Sequence, residues 1–354
     1  MPIVAITGSN GKSTVTSLTG LALTEAGYRV GVGGNIGEPA LNLLMDNNEY
    51  DVIVLELSSF QLETTHSLNS ASSTILNISE DHMDRYVGLE DYICAKTRVF
   101  SGTELAVIPN GLSEQGLVHS QDVVHFTVSN NVINSETDYY LMKIESETYL
   151  AHSNEPLVAV SGMKLQGHHH YLNALAMMAL CQPFDVEARH FTKVLAQFSG
   201  LPHRTELVLI HDGVTWINDS KGTNVGATST ALESLGEQTP GKLLLIAGGV
   251  SKDADFMDLV EPIKKHCKQV VLFGRDREKI AQDISQDLVS NSVKVELVET
   301  LEEAVSMASV AAKAQDYVLF SPACASFDQF KNYIKRGEAF VDLVEQACGI
   351  KHTK

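Results

Sequence analysis

Short apolar runs of strand length alternate with helix-period stretches along almost the whole chain. In the first half, strands are expected at residues 3–7, 29–33, 52–57, 74–78, 105–108 and 123–127. Helices are expected between or after them at 13–25, 38–44, 168–181 and 186–197, with a further helical pattern over 91–100. The polar stretch 130–148 reads as a peripheral hairpin. The pattern then breaks at 198–204, FSGLPHR, where Gly200 and Pro202 interrupt any periodic element. A second alternation follows. Two strands, 207–211 and 214–218, flank Asp212-Gly213, a two-residue hairpin signal. After them come strands at 243–246, 269–273, 293–297 and 317–320, and helices at 224–235, 256–263, 275–284, 301–313 and 327–347. Strands regularly separated by helices predict parallel sheets covered by helices. The fold class is therefore α/β in two domains, residues 1–201 and 202–354, the first a P-loop-type ATPase domain with a mainly parallel sheet and the second Rossmann-like.

Composition narrows the function more than the fold. The 354 residues carry 26 Lys plus Arg against 44 Asp plus Glu, a net charge of −18, which argues against a nucleic-acid partner. The longest apolar runs are too short to cross a bilayer, and no signal peptide precedes the first strand, so a cytoplasmic protein with no membrane partner is expected. Five widely spaced cysteines suit free thiols in a reducing compartment.

The sharpest chemical signal is at the start. Strand 3–7 runs into Gly8-Ser9-Asn10-Gly11-Lys12-Ser13-Thr14 and then a helix. Glycines let backbone N–H groups turn toward an anion, and the following helix adds partial positive charge. Lys12 would meet the β- and γ-phosphates and the Ser13 hydroxyl a magnesium ion, although only two residues separate the glycines where the general pattern has four. Glu56, ending an apolar strand, suits the carboxylate partner of such a metal. The next strand ends in Glu80-Asp81-His82-Met83-Asp84, where magnesium chemistry alone favours Asp81 or Glu80 over His82. By pattern Lys96 is a surface lysine, and His168-His169-His170 a helix start rather than a metal cluster. In the second half, His203-Arg204 and the run from Asn218 through Asp219, Lys221 and Thr223 end a strand near a helix, placing basic residues where they reach bound phosphates and making the cleft between domains the expected active site. Cys324, within SPACASFDQF, reads as a packed thiol.

Together the strings TGSNGKST, VGVGGNIGEPAL, LELSSFQLETT, NISEDHMDRY, GLPHRTE, INDSKGTNVGAT and SPACASFDQFKNY resemble the Mur ligase family, and FQLETT, EDHMDRY and SPACASFDQF its D-glutamate-adding branch. The resemblance runs from about residue 3 to 346. It implies an ATP-dependent amide ligase of peptidoglycan precursor synthesis, acting as a monomer on UDP-N-acetylmuramoyl-L-alanine, D-glutamate and ATP through an acyl phosphate. It implies two Mg2+ ions, one held through Ser13 and Glu56 and a second through His82, which corrects the preference for Asp81. It also implies that Lys96 is carbamylated. By the same resemblance ATP is contacted by Gly8, Ser9, Asn10, Gly11, Lys12, Ser13, Thr14, Asn173, Arg204 and Asp219. The catalytic positions are Lys12, His82, Lys96, Arg204 and Lys221. Substrates fall to Asn35, His203, Thr223, Lys252, Ser326, Phe327 and Tyr333, of which Phe327 and Tyr333 equally suit core aromatics on the last helix. Family members carry a further N-terminal UDP-gripping domain, and this chain is expected to lack it.

Two other readings stand beside this one. A folylpolyglutamate synthetase-like ligase would also add glutamate, but GGNIGEPAL with EDHMDRY weighs against it. A nucleotide-binding module without ligase turnover would bind ATP and magnesium yet respond to neither substrate.

Overall fold

A computed structural model describes residues 1–45, 48–83, 85–112, 122–128, 136–289 and 293–350. These residues divide into two compact units, Met1–Ser79 with Tyr86–Ser199, and Glu80–Arg85 with Gly200–Lys354.

The first unit contains β1 (Ile3–Thr7), α1 (Lys12–Glu25), β2 (Val30–Gly34), α2 (Ala40–Met45), β3 (Val52–Glu56), α3 (Ser59–Glu63), β4 (Ser72–Ile75), α4 (Leu89–Thr97), β5 (Leu105–Pro109), β6 (Asp122–Thr127), β7 (Tyr139–Ile144), β8 (Glu147–His152), β9 (Glu155–Ala159), α5 (His168–Leu180) and α6 (Ala188–Gln197). Its strands pair in the order β2-β3-β1-β4-β5-β6-β7-β8-β9. Pairing is parallel from β2 through β7 and antiparallel from β7 to β9. The central strands read as unbroken apolar runs because both faces are covered. Val4, Ile6, Val52 and Val54 enter one core, packed with Ala174, Met177 and Met178 of α5. The alternate residues Ala5, Ile53 and Leu55 enter a second core on the other face, with Leu62, Val99 and Phe100.

The second unit contains β10 (Glu206–His211), β11 (Val214–Asn218), α7 (Val225–Gln238), β12 (Leu243–Gly248), α8 (Val260–His266), β13 (Cys267–Phe273), α9 (Arg277–Val289), β14 (Lys294–Leu297), α10 (Leu301–Ala311), β15 (Tyr317–Phe320) and α11 (Tyr333–Ala347). Strand order is β10-β11-β15-β12-β13-β14. Among its described strand pairs only the β10–β11 hairpin is antiparallel, turning through Asp212 and Gly213 at φ 50° and 77°. The return of β15 between β11 and β12 makes this a doubly wound sheet, whose ligand crevice lies at the carboxyl ends of the strands. Here too residues alternate between cores: Leu243, Leu245 and Leu319 face one side, Leu244, Ile246, Val318 and Phe320 the other.

The α/β class and the mainly parallel sheets are as expected, but several elements differ from the sequence reading. Strand β4 lies earlier than 74–78, because Ser72 and Ser73, polar by sequence, are fully buried with their hydroxyls satisfied by the Leu180 carbonyl at 2.7 Å and Thr103 Oγ1 at 3.0 Å. The expected peripheral hairpin is realised by β7 and β8, with β9 added as a further strand; its residues 130–135 lie outside the described residues, as does Asp84. Helix α3 was not expected and rests on a capping box in which Ser58 and Gln61 exchange hydrogen bonds. The final helix begins at Tyr333, capped by Asn332, and not at 327.

Glycine is required at position 34, which closes β2 with φ 106°. A Cβ there would lie 2.3 Å from the Glu56 carbonyl oxygen. Gly34→Ala is expected to cost more than about 2 kcal/mol, from left-handed strain plus a backbone clash, measured as a lowered urea midpoint of the full chain.

Candidate functional site

Strand register brings the first group of candidates to one edge. Ile6 of β1 lies level with Glu56 of β3, and Thr7 with Ile75 of β4, so the loop after β1 emerges beside the ends of both neighbours. Gly8 and Gly11 adopt φ 148° and 81°, which only glycine takes without strain. The loop is pinned from the segment after β4: Ser9 N donates to the Asn77 carbonyl at 3.0 Å, Asn10 N to Asn77 Oδ1 at 2.8 Å, and Ser79 N to Ser9 Oγ at 2.9 Å. Asn77 and Ser79 were not singled out from the sequence; their one signal was their place at a strand end. Lys12 Nζ donates to the carbonyls of Gly8 and Ser9, both at 2.8 Å, and so lies across its own loop. Thr14 and Asn173 line a small cavity beside this loop with Leu18, Met163, His170 and Phe198. A Cβ on Gly11 would approach Asn173 Oδ1 to 2.9 Å, so glycine also makes room for that amide.

Glu56 is 2% exposed. Ser13 Oγ donates to its Oε2 at 2.5 Å and Asn35 Nδ2 to its Oε1 at 2.8 Å. The structure thus gathers Ser13, Asn35 and Glu56, three residues from separate segments. A buried carboxylate satisfied by neutral donors, beside a hydroxyl, is a set of hard oxygens that suits magnesium. No cluster of three or more His, Cys, Asp or Glu in metal-holding arrangement occurs among the described residues.

The sequence reading of Lys96 as a surface lysine is overturned, since it is 1% exposed. It lies on the inner face of α4, where its Nζ donates to the Gly8 carbonyl at 2.9 Å and sits 4.5 Å above the Tyr92 ring. The Tyr92 hydroxyl in turn lies 3.3 Å from Ser9 Oγ. A helical period marks which face α4 buries but not what that face meets, and here it meets the phosphate loop.

The remaining candidates lie in the second unit. His82 has φ 60° and its Nε2 is 3.7 Å from Asp81 Oδ2. Burial works against the charge of Asp81, but Lys252, at 3.1 Å, and His82 hold its carboxyl below the usual range. Thr223, Asn224, Ser251, Lys252 and Ala323 line one pocket with residues 80–83. Nearby in sequence, His203 Nδ1 accepts from Asn218 Nδ2 at 2.9 Å, the Lys221 ammonium lies 4.4 Å above the Tyr333 ring, and that ring meets His203 edge-on at 6.3 Å. Ser326 is buried, whereas Phe327 is 72% exposed and precedes the last helix. The alternative of Phe327 as a core aromatic is therefore excluded. Tyr333 opens that helix, half-buried against Lys221.

Asp219 accepts from Ser321 Oγ at 2.6 Å and from Thr205 N at 3.1 Å. Burial raises its carboxyl to about 6, with Ser321, the Thr205 amide, Arg204 and Arg336 opposing. Arg336, absent from the sequence reading, is wholly buried in α11. Its guanidinium donates to the Ser220 carbonyl at 2.8 Å, Ser220 Oγ at 3.2 Å and the Cys324 carbonyl at 2.9 Å, tying the loops after β11 and β15 together. Burial pushes the Cys324 thiol up to about 12, in keeping with a packed thiol.

Two family models match. Residues 6–181 match the Mur ligase middle domain and residues 203–324 the Mur ligase glutamate ligase domain. A UDP-N-acetylmuramoylalanine–D-glutamate ligase from Hydrogenovibrio crunogenus is 56% identical over 345 residues, 98% of this chain and 76% of that protein. One of the same name from Pseudomonas putida is 46% identical over 98% of this chain and 75% of its own length. The chain thus spans about three quarters of the length of these relatives. Among solved structures, MurF from Acinetobacter baumannii aligns with a TM-score of 0.72 at 17% identity, covering 96% of this chain and 76% of its own. A pseudomurein peptide ligase type C from Methanothermus fervidus aligns at 0.69 and 17%, covering 90% and 75%. The phosphate loop on a parallel sheet, followed by a doubly wound glutamate ligase domain, defines an ATP-dependent ligase. The chain belongs to the Mur ligase family.

Asp219 supplies a test of the second unit's electrostatics. Its carboxyl is raised from an ordinary 3.8 to about 6 in the fold, so the folded state binds the extra proton between those values and stability falls as pH rises through them. Asp219→Asn is expected to raise Tm at pH 8, corresponding to at most about 3 kcal/mol, and to leave Tm nearly unchanged below pH 4. Calorimetry of both proteins across that range checks the sign.

Proposed function

We propose that this chain joins D-glutamate to the alanyl carboxylate of UDP-N-acetylmuramoyl-L-alanine, with ATP cleaved to ADP and phosphate. The observation that carries the reading is the 56% identity, over 98% of the chain, to a protein named for that reaction. All three reactants are anionic and the chain itself is acidic, so placed cations have to bring them together.

The alanyl carboxylate oxygen attacks the γ-phosphorus, the bond from that phosphorus to the β–γ bridging oxygen breaks, and ADP leaves. The D-glutamate amine then attacks the acyl phosphate carbon, and the tetrahedral adduct expels inorganic phosphate as the amine proton is lost to a base. In this scheme the backbone N–H groups of Gly8 to Gly11 and the Lys12 ammonium hold the β- and γ-phosphates. The cavity lined by Thr14, His170 and Asn173 receives the base, and Arg204, Asp219 and Lys221 take the ATP- and phosphate-contacting roles that the family resemblance implies. Asn35 and His203 contact the UDP substrate. Thr223, Lys252, Ser326, Phe327 and Tyr333 form the D-glutamate pocket. Magnesium, when bound, would neutralise phosphate charge; Ser13 and Glu56 would hold one ion, and His82 and a carbamylated Lys96 are the further metal ligands that the family resemblance implies. Burial of Lys96 beside the loop supports that modification, since carbamylation converts an amine into an oxygen donor where hard cations are needed. A cytoplasmic reaction and a monomeric active species are part of the same proposal. Among the described residues no helix is long and apolar enough to cross a membrane.

ADP release by the full chain is expected to require both D-glutamate and UDP-N-acetylmuramoyl-L-alanine. ATP binding with magnesium, but with neither substrate stimulating ADP formation, would establish the nucleotide-binding module instead. Lys12→Ala is expected to lower turnover at least about a hundredfold, the scale of losing one preorganised charge stabiliser; normal ATP affinity and ADP production would refute the loop assignment. Lys96→Ala is expected to be inactive and to regain activity with an added short-chain carboxylic acid, whereas full activity without one would refute carbamylation.

A further inference from the structure

Two donors in the second unit converge on a carboxylate that belongs to the chain itself. Asp81 Oδ1 accepts from Lys252 Nζ at 3.1 Å, and Asp81 Oδ2 from Asn224 Nδ2 at 3.3 Å. The Asn224 amide is not free to turn, because its Oδ1 caps α7 by accepting from Ala227 N at 2.8 Å. Its donor end is therefore directed at Asp81 by the helix cap. Lys252 is also set by its own loop. The backbone there is left-handed, φ 52° followed by 57° at Asp253, with Ser251 N donating to Asp276 Oδ2 at 2.7 Å and Val250 bridged to Ala325. The Asn224 amide and the Lys252 backbone are thus both held by contacts other than Asp81.

The pocket beside them is lined by Glu80, Asp81, His82, Thr223, Asn224 and Lys252 among others. A substrate carboxylate cannot engage the two donors while the Asp81 carboxylate stays on them.

We infer that Asp81 is a built-in stand-in that occupies Lys252 and Asn224 until a carboxylate of the acidic amino-acid substrate displaces it. The inference rests on the D-glutamate reading of this pocket. Lys252 supplies the charge, and Asn224 supplies a neutral donor that engages the second oxygen. Exchanging one carboxylate for another keeps the partly buried ammonium paired throughout, avoiding the cost of an unpaired buried charge. It also lowers the apparent affinity by the fraction of molecules in which Asp81 has let go.

The test is titration calorimetry of D-glutamate into the full chain saturated with magnesium, a non-hydrolysable ATP analogue and UDP-N-acetylmuramoyl-L-alanine. Asp81→Asn is expected to bind D-glutamate about tenfold more tightly than the unaltered chain. Asn224→Ser keeps a capping oxygen and removes the amide donor, so it is expected to bind about tenfold more weakly with little change in Tm. Lys252→Ala is expected to abolish binding. If Asp81→Asn binds equally or more weakly, the stand-in is refuted while the pocket reading survives. Unchanged affinity in Asn224→Ser refutes the paired donor. Unchanged binding by Lys252→Ala, or no binding by any form, overturns the pocket reading and the inference with it.

Discussion

Burial of the Glu56 carboxylate at the end of a central strand is the constraint on which the first unit's working edge depends. A carboxyl group at that depth is tolerated only if its oxygens are engaged, and the residues that engage them come from the phosphate loop helix and from the loop after β2. Satisfying Glu56 therefore fixes Ser13 and Asn35 relative to each other. Gly34 lets the chain approach the Glu56 carbonyl closely enough to deliver Asn35, and Asn77 and Ser79 hold the other side of the loop. The loop's glycines gain their meaning from this frame, because left-handed backbone alone does not aim N–H groups at an anion.

The second unit solves a related problem with a buried cation. Arg336 sits in the last helix and spends its guanidinium on backbone carbonyls and a hydroxyl at the ends of β11 and β15. Charge-assisted hydrogen bonds of this kind are strong and directional. They hold the loop carrying Asp219 and Lys221 against the loop carrying Ser326, and they place a positive field near the buried Asp219 carboxyl. Tyr333, one turn before Arg336 on the same helix, covers Lys221. Helix α11 thus sets the geometry of three strand-end positions at once.

Much of this was legible in the chain. Alternating apolar strands and amphipathic helices determined the α/β class, because a parallel sheet must bury both faces and writes that need into every central strand. The glycine-rich turn between β1 and α1, the terminal acid of β3 and the Asp212-Gly213 hairpin are local features, set by residues close in sequence, and all three stand where the pattern put them. What the pattern did not contain is which distant groups meet. Ser72 and Ser73 read as loop because their partners, Leu180 and Thr103, lie far along the chain. Lys96 read as surface because nothing local says that its face of α4 covers Gly8. Arg336 carried no signal for the same reason, and Asp81 gave no sign of its pairing with Lys252, 171 residues away. Local periodicity is enforced by the backbone and by solvent, so the sequence settles it alone. Partnership among buried polar groups is enforced by the cost of leaving them unsatisfied, and only the packed tertiary structure decides how that cost is met.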